Sequence, residues 1–161
     1  MITPVALQNL TDVMKMMAET ERLFAELYRT CAEVWMEDRD FWLETVAEEE
    51  KHAKNIETMA RIIAARPERF ELGRPFNQTA IKTIKTGLES NLERVKKREI
   101  SRKNMLNLAR DIEASVIERS YGEIVRTKDL EYQTLVKEII TETFKHKKII
   151  EERIRALQAG Q

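Results

Sequence analysis

Apolar residues recur along most of this chain at alternating steps of three and four, the period of helices that bury one face. Thr11 reads as the N-cap of a first long helix reaching Met36, with Met14, Met17, Glu21, Phe24, Tyr28, Cys31 and Trp35 on its stripe. Thr3 caps a preceding turn that extends to Gln8, with Pro4 at the first helical position. The Glu37-Asp38-Arg39-Asp40 cluster links it to a second helix, Phe41–Ala64, ended by Arg66-Pro67. That stripe is Trp42, Thr45, Glu49, His52, Ile56, Met59 and Ile63. A loop from Pro67 to Asn77 holds Gly73 and Pro75, and an extra helix follows from Thr79 to Lys97 with Ile81, Ile84, Leu88, Leu92 and Val95 on one side. Ser101 caps a third core helix, Arg102–Arg126. The last helix spans Glu131–Leu157, with Leu135, Ile139, Glu142, His146, Ile149, Ile150, Ile154 and Leu157 inward.

Short links join the first two core helices and the last two, while a long connection carrying the extra helix separates the pairs. This pattern predicts an all-α chain, one domain over residues 1–161, folded as a four-helix bundle with a single long crossover. Composition agrees, since only 4 Gly and 3 Pro interrupt the helical pattern. Equal numbers of acidic and basic side chains, 28 of each, give no basic excess for nucleic acid. No apolar run approaches the ~20 residues of a membrane span, and Met1-Ile2-Thr3-Pro4 lacks the basic start of a secretory signal, so a cytoplasmic protein is expected. A lone Cys31 excludes an internal disulfide and any CxxC metal unit.

Charge changes the picture where it enters the stripe. An unpaired buried carboxylate costs several kcal/mol, yet each long helix places an acid there: Glu21, Glu49, Glu113 and Glu142. The only two histidines, His52 and His146, fall on the stripe as well, each within one turn of a Glu on its N-terminal side. Carboxylates and imidazoles converging in a bundle core become favourable around a cation, and this oxygen and nitrogen set suits iron or manganese. Four carboxylates also balance two divalent ions. The two halves echo one another: Glu21 and His52 stand 31 residues apart, Glu113 and His146 33 apart. Tyr28 follows Glu21 by seven, and Tyr121 follows Glu113 by eight.

The run Thr45-Val46-Ala47-Glu48-Glu49-Glu50-Lys51-His52-Ala53 resembles the second-helix ligand motif of rubrerythrins, in the ferritin-like superfamily. Glu21 with Tyr28 resembles the first-helix pattern, and Ala109-Arg110-Asp111-Ile112-Glu113 the third. The resemblance implies a ferritin-like bundle holding two iron ions, with manganese or a mixed pair as alternatives, on Glu21, Glu49, His52, Glu113, Glu142 and His146. It implies oxidation of Fe(II) or reduction of peroxide or dioxygen, an external electron donor, and a homodimer with the extra helix as candidate contact surface. Two departures stand out. Rubrerythrins carry a rubredoxin-type domain needing four Cys, and this chain has one. The fourth helix reads Glu142-Thr143-Phe144-Lys145-His146, so Thr143 stands where the family has a ligand Glu, and Glu142 is rotated by about 100°. A π-bulge would return Glu142 to the site; a water ligand, or a site reduced to one metal or none, are the other outcomes. Two other functions stay open, a metal-free scaffold with buried acids paired to Lys or Arg, and a di-iron oxygenase for a small substrate.

Overall fold

The helical expectation holds. In the computed structural model, which describes residues 1–74, 78–115 and 121–160, five α-helices make up most of the chain. They are α1 (Pro4–Val34), α2 (Arg39–Ala65), α3 (Gln78–Lys96), α4 (Arg102–Glu113) and α5 (Leu130–Ala159). Thr3 caps α1 by accepting the Ala6 N–H at 3.3 Å, and Pro4 takes the first position, where its missing N–H costs nothing. Thr11 is an interior residue rather than a cap; its hydroxyl donates to the Leu7 and Gln8 carbonyls, so the expected break is absent and α1 is continuous. Ser101 caps α4 and Asp129 caps α5.

The third core helix is shorter than its pattern predicts. Helix α4 ends at Glu113, and Val125–Thr127 is a strand, β2, instead of the helical continuation to Arg126; the intervening residues 116–120 lie outside those described. The expected loop after α2 holds a single 3-10 turn, Pro67–Arg69, and the strand β1, Phe70–Leu72. The strands pair antiparallel, Phe70 opposite Thr127 and Leu72 opposite Val125. Branched Val125 and Thr127 favour the extended backbone, and Gly122 weakens helix just before them. Gly73 lets this ribbon close, since a Cβ there would sit 2.0 Å from the Glu123 carbonyl oxygen.

Ion pairs fix the helix directions. Arg22–Glu57 and Arg29–Glu50 run α1 antiparallel to α2, and Lys51–Glu142 with Arg66–Glu131 run α2 antiparallel to α5. Helix α3 returns along α1 with its apolar residues Ile81, Leu88, Leu92 and Val95 buried. It ends on Arg98 at φ 56°, with Glu99 N–H reaching the Arg94 carbonyl and Arg98 N–H that of Val95, a Schellman turn closed by a residue with a Cβ. Arg98→Gly is therefore expected to stabilise the protein by about 1 kcal/mol, seen as a rise of about 2–4 °C in thermal midpoint. A lower midpoint would show that the left-handed backbone is not strained there.

Two apolar clusters fill the interior. One gathers Met14, Met17, Ile56, Ile63, Phe70, Tyr132 and Ile139; the other Phe24, Tyr28, Trp42, Leu106 and Ile150. Along α1, α2 and α5 the chain passes from one cluster to the other through a short polar stretch: Glu21, then Glu49 to His52, then Thr143 to His146. Those stretches form one buried polar layer. Among the described residues, no helix is long and apolar enough to cross a membrane.

Candidate metal centre

Five of the six predicted ligands are brought together in that layer. Glu21, Glu49, His52, Glu113 and His146 are at most 3% exposed. Two groups of three emerge, Glu21–Glu49–His52 and Glu49–Glu113–His146, each with ligand atoms within 4.8 Å of one another. Glu49 belongs to both. One of its oxygens lies 3.4 Å from His52 Nδ1 and the other 3.9 Å from His146 Nδ1, so the carboxylate spans the two histidines. The rings stand 6.3 Å apart.

Glu142 does not join them, and no π-bulge brings it in. Helix α5 is α-helical throughout, and the residue turned inward is Thr143, whose hydroxyl donates to the Ile139 carbonyl at 2.8 Å. Glu142 stands at the rim instead, accepting from Lys51 Nζ at 2.7 Å and meeting His52 Nε2 at 2.8 Å. Burial would raise its pKa, but Lys51 and His52 outweigh that and hold it below the usual carboxylate range. An ionised carboxylate only accepts, so Nε2 of His52 carries the proton shared with Glu142, and Nδ1 is the nitrogen turned toward Glu49.

Glu48 is the residue that sequence reasoning missed. Its carboxylate meets Nε2 of His146 from the rim, as Glu142 meets that of His52. Burial, then the charge of Glu142, raises its pKa. The signal was present in the echo between the halves: Glu48, Glu49 and His52 have the same spacing as Glu142, Thr143 and His146. The tyrosines obey the same symmetry. Tyr28 donates to Glu113 at 3.1 Å, and Tyr121 donates to Glu21 at 2.5 Å. Each half of the chain thus orients the acid and the histidine of the other, and one position breaks the match, Glu49 against Thr143.

The polar layer is costly as it stands. Glu21 Oε2, Glu113 Oε2, His52 Nδ1 and His146 Nδ1 are buried without a hydrogen-bond partner among the described residues. Buried polar atoms are nearly always satisfied, so four such atoms gathered in one layer fit a bound cation. In the metal-free protein, burial and then the charge of Glu21 push the Glu113 carboxyl from 4.5 up to about 8. Burial, then His52, lowers the His146 ring from 6.5 to about 4.

These shifts have opposite signs in stability. The fold holds the Glu113 proton that the unfolded chain has released between pH 4.5 and 8, so stability falls as pH rises across that window. The unfolded chain holds the His146 proton that the fold lacks between pH 4 and 6.5, so there stability rises with pH. Of these two groups, only Glu113 still acts above pH 6.5. The metal-free protein is expected to lose about 1–2 kcal/mol between roughly pH 6.5 and 8, measured by urea unfolding, and Glu113→Gln should flatten that slope. An unchanged slope in the variant would mean that Glu113 is not the titrating group.

No family model, curated protein or solved structure matches this chain.

Proposed function

We propose that this chain is a ferritin-like, rubrerythrin-like carboxylate protein whose buried layer holds a pair of iron ions. The observation that carries the reading is Glu49, shared between two triads whose remaining members, Glu21 with His52 and Glu113 with His146, are related by the internal symmetry of the chain. The helix directions support the ferritin-like part: two antiparallel pairs joined by one long crossover, which α3 occupies. The donor set is three carboxylates and two imidazoles instead of the expected four and two, with Glu142 moved from ligand to partner of His52.

When bound, such a pair would supply electrons for reducing peroxide or dioxygen, with manganese as the alternative metal in one or both places. The residues around it have definable tasks. Glu142 meets Nε2 of His52 and Glu48 lies against Nε2 of His146, contacts on the outer side of each ring that leave Nδ1 of both directed inward. Tyr28 and Tyr121 fix the rotamers of Glu113 and Glu21. Lys51, paired with Glu138 and Glu142, anchors the rim between α2 and α5. The apolar clusters on either side keep water from the layer and strengthen every charge interaction inside it. An external electron donor and a homodimer complete the proposal.

A metal-free scaffold would pair its buried acids with Lys or Arg. Asp38 has that arrangement, with Arg102 and Arg153, whereas Glu21 and Glu113 meet tyrosine hydroxyls and face histidines. The test is metal content after anaerobic Fe(II) loading, desalting and exposure to air, with the near-ultraviolet absorption of the oxidised pair recorded. About two irons per chain with that band is the expected result. A protein that retains none returns the scaffold reading to first place.

A further inference from the structure

A metal pair in this layer has to be reached from outside, and along the bundle an apolar cluster closes the layer on each side. Its five candidate ligands are at most 3% exposed. Two acids connect them to solvent. Glu48 and Glu142 keep 28% and 20% of their side chains exposed, and each touches the outer nitrogen of a buried histidine, His146 and His52 respectively. Both contacts lie between α2 and α5. Behind them the two imidazole rings stand 6.3 Å apart, and further in are Glu21 Oε2, Glu113 Oε2 and the two Nδ1 atoms, buried without hydrogen-bond partners. A cation arriving between these helices meets part-exposed carboxylates first, then imidazole edges, then the inner donors.

Charge separates this face from its neighbour. The groove of about 520 Å³ between α1 and α2 is lined by Arg22, Arg29 and Lys54 against Glu26 and Glu50, over a floor of buried Ala25. Cations outnumber acids there. Between α2 and α5 the balance reverses: Glu44 and Glu142 act on Glu48 against Lys145, and Glu138 stands on the same rim. Low-dielectric walls lined by one sign of charge draw in the opposite ion. Lys51 stands in the way. Its Nζ lies 2.5 Å from Glu138 and 2.7 Å from Glu142, and Asn55 steadies Glu138 by donating to it at 2.9 Å. Both oxygens of Glu142 are thereby taken, one by Lys51 and the other by His52.

We propose that divalent cations enter and leave the layer between α2 and α5, across Glu48 and Glu142, and that Lys51 is the latch on this entrance. The inference rests on the two-metal reading above and deepens it by naming how the metal is admitted. The ammonium holds the position among the rim carboxylates that an incoming cation has to take, and swings into solvent as the ion arrives. Lys51 suits the task, since its side chain is 46% exposed on a flexible stem. Opening breaks two water-screened ion pairs and requires no movement of a helix.

The experiment follows Co(II), whose visible absorption reports its ligands, by stopped flow into the metal-free full chain and then out of the loaded chain into excess EDTA. The wild type is expected to bind about two Co(II) per chain. Lys51→Met should raise the uptake and release rates together, each by about 3–10-fold, the weight of two exposed ion pairs. Lys51→Arg should slow both, because a guanidinium fork grips carboxylates more firmly than an ammonium. Arg29→Met, which breaks the ion pair with Glu50 on the α1–α2 face, should leave both rates as they are. If Lys51→Met fails to fold, as judged by circular dichroism, Lys51→Arg against Arg29→Met decides alone. Wild-type rates in the Lys51 variants, or an equal change in Arg29→Met, would overturn the entrance while the bound Co(II) leaves the metal centre standing. Faster uptake with slower release in Lys51→Met would also overturn the latch, since Lys51 would then act only through its charge on the bound ion. A wild type that binds no Co(II) would remove the metal centre and the inference together.

Discussion

Glu49→Gln is expected to leave the protein without retained metal and, when both are metal-free, more stable than the wild type. Glu49 is the one ligand common to both triads, so its loss removes a donor and a negative charge from each metal position at once. Loss of an outer partner typically costs about 10–100-fold in metal affinity, and a shared inner ligand should cost more than that. Glu48→Gln and Glu142→Gln, which reach the histidines only at their outer Nε2 atoms, give the internal scale: each should weaken binding within the 10–100-fold range. The stability change follows from the same burial. Glu49 is 1% exposed among other acids, and an amide of equal size removes the charge without leaving a cavity. A gain of about 1–2 kcal/mol, roughly 2–8 °C in midpoint, is expected. Isothermal titration with Fe(II) or Co(II) and thermal unfolding of the metal-free proteins measure both effects. A variant that still binds two metals, or one that loses stability, would show that the layer is held together by its own polar contacts instead of being held open for a cation.

Asp38→Ala should be among the most destabilising single changes at the other end of the molecule. Asp38 is 2% exposed and receives Arg102 Nε at 2.6 Å, Arg102 Nη2 at 2.9 Å and Arg153 Nη1 at 2.7 Å. It thereby joins the α1–α2 link to the start of α4 and the last turns of α5. Arg153 also lies over the Phe41 ring, 4.4 Å from its centre. Both guanidinium groups are about one-third exposed, so water screens part of what they lose, and the full penalty of an unpaired buried charge does not apply. A loss of about 3 kcal/mol is expected, or roughly 6–12 °C in thermal midpoint. Metal retention should survive in the folded fraction, because none of these three residues touches the polar layer. A midpoint within 2 °C of the wild type, on that scale, would mean that solvent satisfies the two arginines as well as Asp38 does.

Helix α5 shows how near the sequence came to the site and where it slipped. Counting back from His146 in strict steps of three and four passes through Thr143, Ile139, Val136 and Tyr132, and these are the buried positions. The presence of Leu135 and Glu142 one residue to the side, both plausible on an inward face, drew the expected stripe through them. A Thr carries little hydropathy signal in either direction, so periodicity alone could not choose between the two registers. Packing chose, because Ile139 and Ile150 are wholly buried and fix the rotation of the helix between them.

What the sequence determined by itself was the set of helices and the chemistry on their buried faces. Repeated steps of three and four, scarce breakers, and caps at Thr3 and Ser101 locate long helices, because these are local properties of neighbouring residues. Acids and histidines at buried register mark a polar layer, because their cost in an apolar interior has few remedies. The tertiary structure alone decided who meets whom. That Glu48 serves His146, that Tyr121 holds Glu21 from 100 residues away, and that Asp38 is a buried junction between partners 64 and 115 residues distant follow from how the helices lie against one another. The same is true of the paired strands: three residues each are too few for any period, and each becomes a strand because the other is beside it.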